Sequence, residues 1–154
     1  MAKNTPFSDI TVLDFSRYLP GGYATQVLAD LGATVIKVED TGLGDFMRHD
    51  YPTKGGGISY YITALGRNKK SVSLNLKNEE VVDWFLKMAQ EADIIVESFR
   101  PGVTAKLGID YESIKKLNPG IIYCSISGYG ANDPRSKTAQ HDLNMQATSG
   151  HLSV

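Results

Sequence analysis

Arg67, Lys69 and Lys70 place three cations within four positions. Arg grips phosphate oxygens bidentately and Lys adds a point charge, so Gly66-Arg-Asn-Lys-Lys-Ser71 reads as a phosphate-binding patch; a short charge run also makes an ordinary solvated turn. Arg17, Arg48, Lys77, Arg100 and Lys106 lie near the ends of apolar segments, from which they could converge on one edge of a sheet. Ser98-Phe-Arg-Pro-Gly102 adds an aromatic beside an Arg: Phe99 is either core or a platform for a base, with Arg100 on a phosphate. His141 and Asp142 are adjacent, which suits a helix start as well as proton transfer. Cys124 sits inside an apolar run and reads as a buried residue rather than a nucleophile. Gly21 and Gly22 are neighbours, with no G-x-G-x-x-G and no phosphate-loop lysine, which argues against a nicotinamide-dinucleotide site. Glu39 falls where such folds hold a ribose, although a charge that merely ends a strand is common.

The composition narrows the classes. With 16 basic and 17 acidic residues and a formal charge of -1, the 154-residue chain lacks the basic excess of a general nucleic-acid binder. A single cysteine excludes an intrachain disulfide, and three scattered histidines do not build a zinc site. No apolar run approaches the roughly 20 residues of a membrane span, and residues 1–7 lack the pattern of a signal peptide. These features lead us to expect a cytoplasmic protein with no metal, no nucleic-acid partner and no membrane association, folded as one domain over residues 1–154.

Elements that would position these residues follow from periodicity. Residues 10–15, 34–38, 71–76, 93–97 and 121–125 are short and rich in β-branched residues, and read as strands. Ala24, Val27, Leu28 and Leu31 have helical spacing, after a loop at residues 16–22 and before a left-handed cap at Gly32. Asn78 caps a second helix, with Glu79 and Glu80 in its first turn and Val82, Phe85 and Ala89 on its buried stripe. Asp110 caps a short helix that ends before Asn118-Pro119, and residues 142–148 suit another. Residues 58–65 fit either a short helix or irregular packing, and the polar stretch 39–57 is too long for an ordinary connection. Alternating strands and helices predict an α/β fold: a Rossmann-like open, mostly parallel sheet with flanking helices. Ligands of such sheets bind beyond the carboxyl ends of the strands.

Several segments together resemble the family III CoA-transferases, the group of formyl-CoA transferase, carnitine CoA-transferase and α-methylacyl-CoA racemase. The matching stretches include Val12-Leu-Asp-Phe-Ser-Arg17, Leu28-Ala-Asp-Leu-Gly-Ala33, Val35-Ile-Lys-Val-Glu39, Gly42-Leu-Gly-Asp45 and Arg67-Asn-Lys-Lys-Ser71. They continue through Glu97-Ser-Phe-Arg-Pro-Gly102, Leu107-Gly-Ile-Asp-Tyr111, Ile122-Tyr-Cys-Ser-Ile-Ser-Gly128, His141-Asp-Leu and Gln146-Ala-Thr-Ser-Gly150, in order and with matching spacing.

The resemblance implies the N-terminal, CoA-binding part of the large domain of an enzyme that moves CoA between carboxylic acids or epimerises the carbon next to a CoA thioester. It places CoA contacts at Tyr18, Leu19, Leu74, Asn75, Leu76, Lys77, Ser98, Phe99, Arg100 and Lys106. CoA offers an adenine to stack, phosphates for cations and a pantetheine arm that needs a narrow apolar channel. Three departures stand out: Pro20-Gly21-Gly22 replaces the usual Ala-Gly-Pro, Asp40 stands where some relatives place a cation, and Ser98 replaces Asn. The family's catalytic aspartate, small domain and C-terminal segment correspond to positions beyond Val154. The resemblance therefore implies a chain inactive alone, or active only with a separate complementing chain that supplies the aspartate; the interlocked dimers of the family also lead us to expect a homodimer. His141 resembles an acid/base group of the racemase branch and would be catalytic only in racemase-like chemistry. The alternative is a truncated, non-catalytic module that keeps the fold and associates with itself or a partner.

Overall fold

Parallel strands are buried on both faces and need helical crossovers, and the apolar runs of this chain meet both demands. The computed structural model describes residues 5–50, 53–54 and 57–153. In chain order the elements are β1 (Thr11–Phe15), α1 (Tyr18–Asp30), β2 (Thr34–Glu39), a 3-10 turn (Phe46–Arg48), β3 (Thr53–Lys54), β4 (Ile58–Ser59), α2 (Tyr60–Leu65) and β5 (Lys69–Ser73). They continue with α3 (Glu79–Glu91), β6 (Ile94–Glu97), α4 (Val103–Lys106), α5 (Tyr111–Leu117), β7 (Ile122–Ser125), α6 (Asp142–Thr148) and a 3-10 turn (His151–Ser153). Five strands form a parallel sheet in the order β5-β2-β1-β6-β7, while β3 and β4 form a separate antiparallel ribbon. The fold is thus the Rossmann-like open α/β sheet that the alternation predicts. The sheet order reverses at β1, which opens a crevice beyond the carboxyl ends of β1 and β6.

Side-chain alternation along β1 builds two cores. Val12 joins Ala29 and Ala33, at and after the end of α1, together with Val35 and Val96. Leu13 and Phe15 face the opposite side, with Phe85 and Ala89 of α3, Ile95 and Ile114 of α5. Phe15 meets the Phe85 ring edge-on at 4.8 Å between centroids, a favoured aromatic geometry. The Asn78 side chain accepts the Glu80 N–H at 2.9 Å, as its capping position requires. Asn118, after α5, donates to the carbonyls of Ala89 and Ala92 and so satisfies the frayed end of α3.

Four elements differ from the sequence expectation. First, α1 begins at Tyr18, so Pro20, Gly21 and Gly22 lie inside a helix rather than in a loop. Proline is tolerated in a first helical turn. Glycine is needed at 21 because a Cβ there would lie 2.1 Å from the Ser16 Cβ. Second, β5 covers residues 69–73 rather than 71–76; Leu74 and Leu76 leave the sheet for the crevice. Third, residues 58–65 hold the short helix that is one of their two alternatives, α2, but open with the two-residue strand β4. Fourth, Cys124 is exposed. It aligns with Val96 and shares the α1 side of β7 with Ile122, itself 61% exposed, because β7 is an edge strand that no described residues cover on that side. Gly32 adopts the expected left-handed backbone, with φ 106°. Of the polar stretch 39–57, residues 51, 52, 55 and 56 lie outside the described residues, as do residues 1–4 of the N-terminal segment.

Candidate functional site

Apolar side chains on the α1 side of the sheet give way to charged ones as the strands approach the crevice. Asp14 of β1, Lys37 and Glu39 of β2 and Lys69 of β5 all point to this side, and each makes several polar contacts. The Asp14 carboxylate accepts the Ser16 N–H at 3.0 Å, the Thr25 hydroxyl at 2.6 Å and Lys69 Nζ at 3.1 Å. Lys69 also donates to the Gly22 carbonyl at 2.9 Å and to the Thr25 hydroxyl at 2.6 Å. Its side chain is only 2% exposed. Burial, opposed by the attraction of Asp14, holds its pKa below the usual lysine value.

A second chain of contacts ties the loop after β2 to the loop after β1. Lys37 Nζ pairs with Asp45 at 2.7 Å and donates to the Ser16 carbonyl at 2.8 Å. Asp45 accepts the Met47 N–H and so caps the 3-10 turn, while its own N–H donates to Glu39 Oε2 at 2.9 Å. Glu39 accepts a bidentate grip from Arg48 and a hydrogen bond from the Ser71 hydroxyl. Burial alone would raise the Glu39 pKa, but the hydrogen bonds from Arg48, the Asp45 N–H and Ser71 prevail and bring it down to about 2.

Above this layer lies a cavity of about 250 Å³. Its floor and sides are Phe15, Val38, Leu74, Leu76, Phe99, Val103 and Leu107, and its polar lining includes Arg17, Asp40, Asn75 and Lys77. The Arg17 N–H donates to Ser98 Oγ at 2.8 Å, which joins the loop after β1 to the loop after β6. The Arg17 guanidinium pairs with Asp40 at 2.8 Å. Tyr18 takes a left-handed backbone, φ 62°, and stacks on Phe46 with centroids 5.7 Å apart. A non-glycine residue in this region carries a strain of roughly 1–3 kcal/mol, and such residues gather at functional sites.

The structure brings together Leu74, Asn75, Leu76, Lys77 and Phe99 around the cavity, with Ser98 behind Arg17. It leaves the exposed Leu19, Arg100 and Lys106 outside the lining, although Val103 and Leu107 flank the cavity from the α4 region. Tyr18 stands beside the mouth, against Phe46. His141 is exposed at the start of α6 and does not line the cavity. In the cluster at residues 66–71, Arg67 pairs with Asp30 at 2.6 Å and Lys69 with Asp14 at 3.1 Å, while Lys70 is exposed. What residue-by-residue reading missed is the buried charge layer. Its signal was a charge at an inward position of an apolar strand, Asp14 in β1 and Lys37 in β2.

An open parallel sheet with a cavity of aromatic, aliphatic and cationic lining at its switch point defines the class of Rossmann-like α/β domains. Residues 7–154 match CoA-transferase family III, and the chain belongs to that family. It is 42% identical to the acetyl-CoA:oxalate CoA-transferase of Acetobacter aceti, over 94% of this chain and 37% of that protein. It is 41% identical to the succinyl-CoA:glutarate CoA-transferase of Homo sapiens, over 97% of this chain and 34% of that protein. Among solved structures, a CAIB/BAIF family protein from Brucella suis superposes with a TM-score of 0.89 at 38% identity, over 96% of this chain and 40% of that one. The chain thus spans little more than a third of the length of the curated relatives it matches.

Two outcomes follow from the buried charges. Lys69→Met leaves the Asp14 carboxylate without its counter-ion and is expected to cost about 3–5 kcal/mol in urea unfolding; adding Asp14→Asn should recover part of that loss. An unchanged midpoint in Lys69→Met would contradict the role given to the pair. For Glu39 the folded pKa lies below its ordinary value of 4.5. Its contribution is therefore full above about pH 4.5 and is lost as pH falls toward about 2. Glu39→Gln should flatten stability against pH across that window, as measured by thermal unfolding.

Proposed function

We propose that this chain is the CoA-binding part of an enzyme that transfers CoA between carboxylic acids. The observation that carries the reading is the cavity at the switch point, where the Phe99 ring and the Leu74 and Leu76 side chains lie beside Lys77, in a member of CoA-transferase family III. Phe99 supplies a face for the adenine, Lys77 a charge for a phosphate, and the aliphatic walls a path for the pantetheine arm. Tyr18, Leu19, Asn75, Ser98, Arg100 and Lys106 complete the proposed contacts. Transfer is favoured over epimerisation because the relatives above are named CoA-transferases; His141 would act as an acid/base group only in the racemase-like case.

Titration calorimetry with CoA tests this reading. Binding is expected to weaken as salt rises, because phosphate contacts are screened. Phe99→Ala should lower affinity roughly five- to a hundredfold through lost stacking. Absence of heat at millimolar CoA, together with no thermal stabilisation, would count decisively against it.

One feature favours a second reading, a self-associating or partner-binding module. Leu19, Tyr23 and Val27 of α1 and Leu31, just past its end, repeat every four residues, and all four are exposed. A contiguous row of exposed apolar side chains is ordinarily covered. Sedimentation velocity should then show a species larger than one chain, and a strictly monomeric profile across micromolar concentrations would remove this reading.

A further inference from the structure

Arg17 and Asp40 meet across the mouth of the cavity, with side chains 33% and 43% exposed. The guanidinium carbon lies 5.1 Å from the centre of the Phe46 ring and 5.9 Å from that of Phe99, so Arg17 covers the aromatic surface a base would use. Lys37, deeper in the cavity, is committed to Asp45. Among the described residues lining the cavity, Lys77 is thus the one cation without a carboxylate partner. A ligand carrying several phosphate charges meets a crevice whose mouth cation is already taken. Asp40 is itself anchored: its Oδ1 accepts the N–H groups of Gly42 at 2.7 Å and Gly44 at 3.4 Å, while Oδ2 faces Arg17. The carboxylate is held by its own loop as well as by Arg17, whereas Asp40 is the one hydrogen-bond partner of the Arg17 guanidinium among the described residues.

The geometry points to Asp40 as the residue that sets the crevice's affinity for phosphate groups, by competing with the ligand for Arg17. This inference rests on the nucleotide-binding reading above. As a phosphate enters, Arg17 exchanges the Asp40 oxygen for a phosphate oxygen and swings off the Phe99 ring. As the ligand leaves, Asp40 takes Arg17 back. The exchange involves hydrogen bonds and charge only, with no covalent step. Because the pair is part exposed, its Coulomb energy is modest and screened by salt. Asp40 therefore tunes binding and does not abolish it.

Asp40→Asn isolates the effect, because the amide oxygen still accepts the Gly42 and Gly44 N–H groups while the charge is gone. The probes are CoA and pantetheine, which shares the arm but carries no phosphate, each titrated calorimetrically. Asp40→Asn should bind CoA about two- to five-fold more tightly, the range set by a part-exposed ion pair, with pantetheine unchanged. The gain should vanish when Arg17→Gln is added. Asp40→Ser, whose hydroxyl can also accept from the loop, serves as a second neutral replacement with the same expected gain. Unchanged or weaker CoA binding in both neutral variants, with wild-type circular dichroism, overturns the inference and leaves the CoA reading standing. A gain that persists in the Arg17→Gln background also overturns it, since Asp40 would then act by simple repulsion. No CoA binding by any form of the chain overturns the nucleotide reading and this inference together.

Discussion

The Asp14 and Lys69 side chains, almost fully buried, meet at 3.1 Å on the α1 side of the sheet beneath the crevice, and the turn after β1 and the start of α1 are bonded to that pair. Removing two charges from water costs several kcal/mol per ion, which their attraction offsets only when further hydrogen bonds complete the shell. Here Thr25, the Gly22 carbonyl and the Ser16 N–H and hydroxyl complete it. Because those partners come from α1 and from the turn after β1, the pair fixes where α1 begins. That turn is why a glycine, Gly21, sits near the start of a helix. Only a residue without a Cβ lets that turn close over Ser16.

Lys37 and Asp45 repeat the device one step nearer the crevice. Lys37 holds the Ser16 carbonyl, Asp45 caps the 3-10 turn, and Glu39 gathers Arg48 and Ser71. The loops after β1 and β2 are therefore fixed relative to each other by buried charge, and the loop after β6 is joined to them through Ser98 and the Arg17 N–H. A cavity bounded by four loops keeps its shape because each loop is tied to another through hydrogen bonds, the loop after β5 through the Leu74 N–H, which donates to the Glu39 carbonyl at 2.8 Å. The apolar walls, by contrast, come from the opposite core, where Phe15, Phe99 and Leu107 continue the packing around Phe85 and Ile109. The crevice is thus polar beneath its rim and apolar along its walls, a division that follows from the two faces of β1.

Much of this was legible in the chain. The five strands of the main sheet and the helix over residues 79–91 follow from local periodicity, and Asn78 and Gly32 act as a cap and a left-handed terminus because those roles depend on a few neighbouring residues. The cavity residues Leu74 to Lys77 and Phe99 were reached through the family resemblance and the rule that ligands sit beyond strand ends. Less was legible where one residue type serves two roles. Glycines suggest a loop, yet Gly21 and Gly22 lie in α1 because of a contact with Ser16 and the space beside Met47. Cys124 suggests core, yet no described residues cover its side of β7. Three neighbouring cations suggest one shared role, yet Arg67 and Lys69 are bound to carboxylates far away in sequence while Lys70 faces solvent.

That last contrast marks the division. By itself the sequence determined the alternation of strands and helices, the parallel sheet it implies and the family the chain belongs to, because periodicity and ordered motifs are properties of neighbours along the chain. Only the tertiary structure decided which charges are used internally and which face the crevice. Lys69 lies 55 positions from Asp14, and Asp40 lies 23 from Arg17. Electrostatic partnership depends on distance and dielectric in space, and those are set only when β1, β2 and β5 are laid side by side.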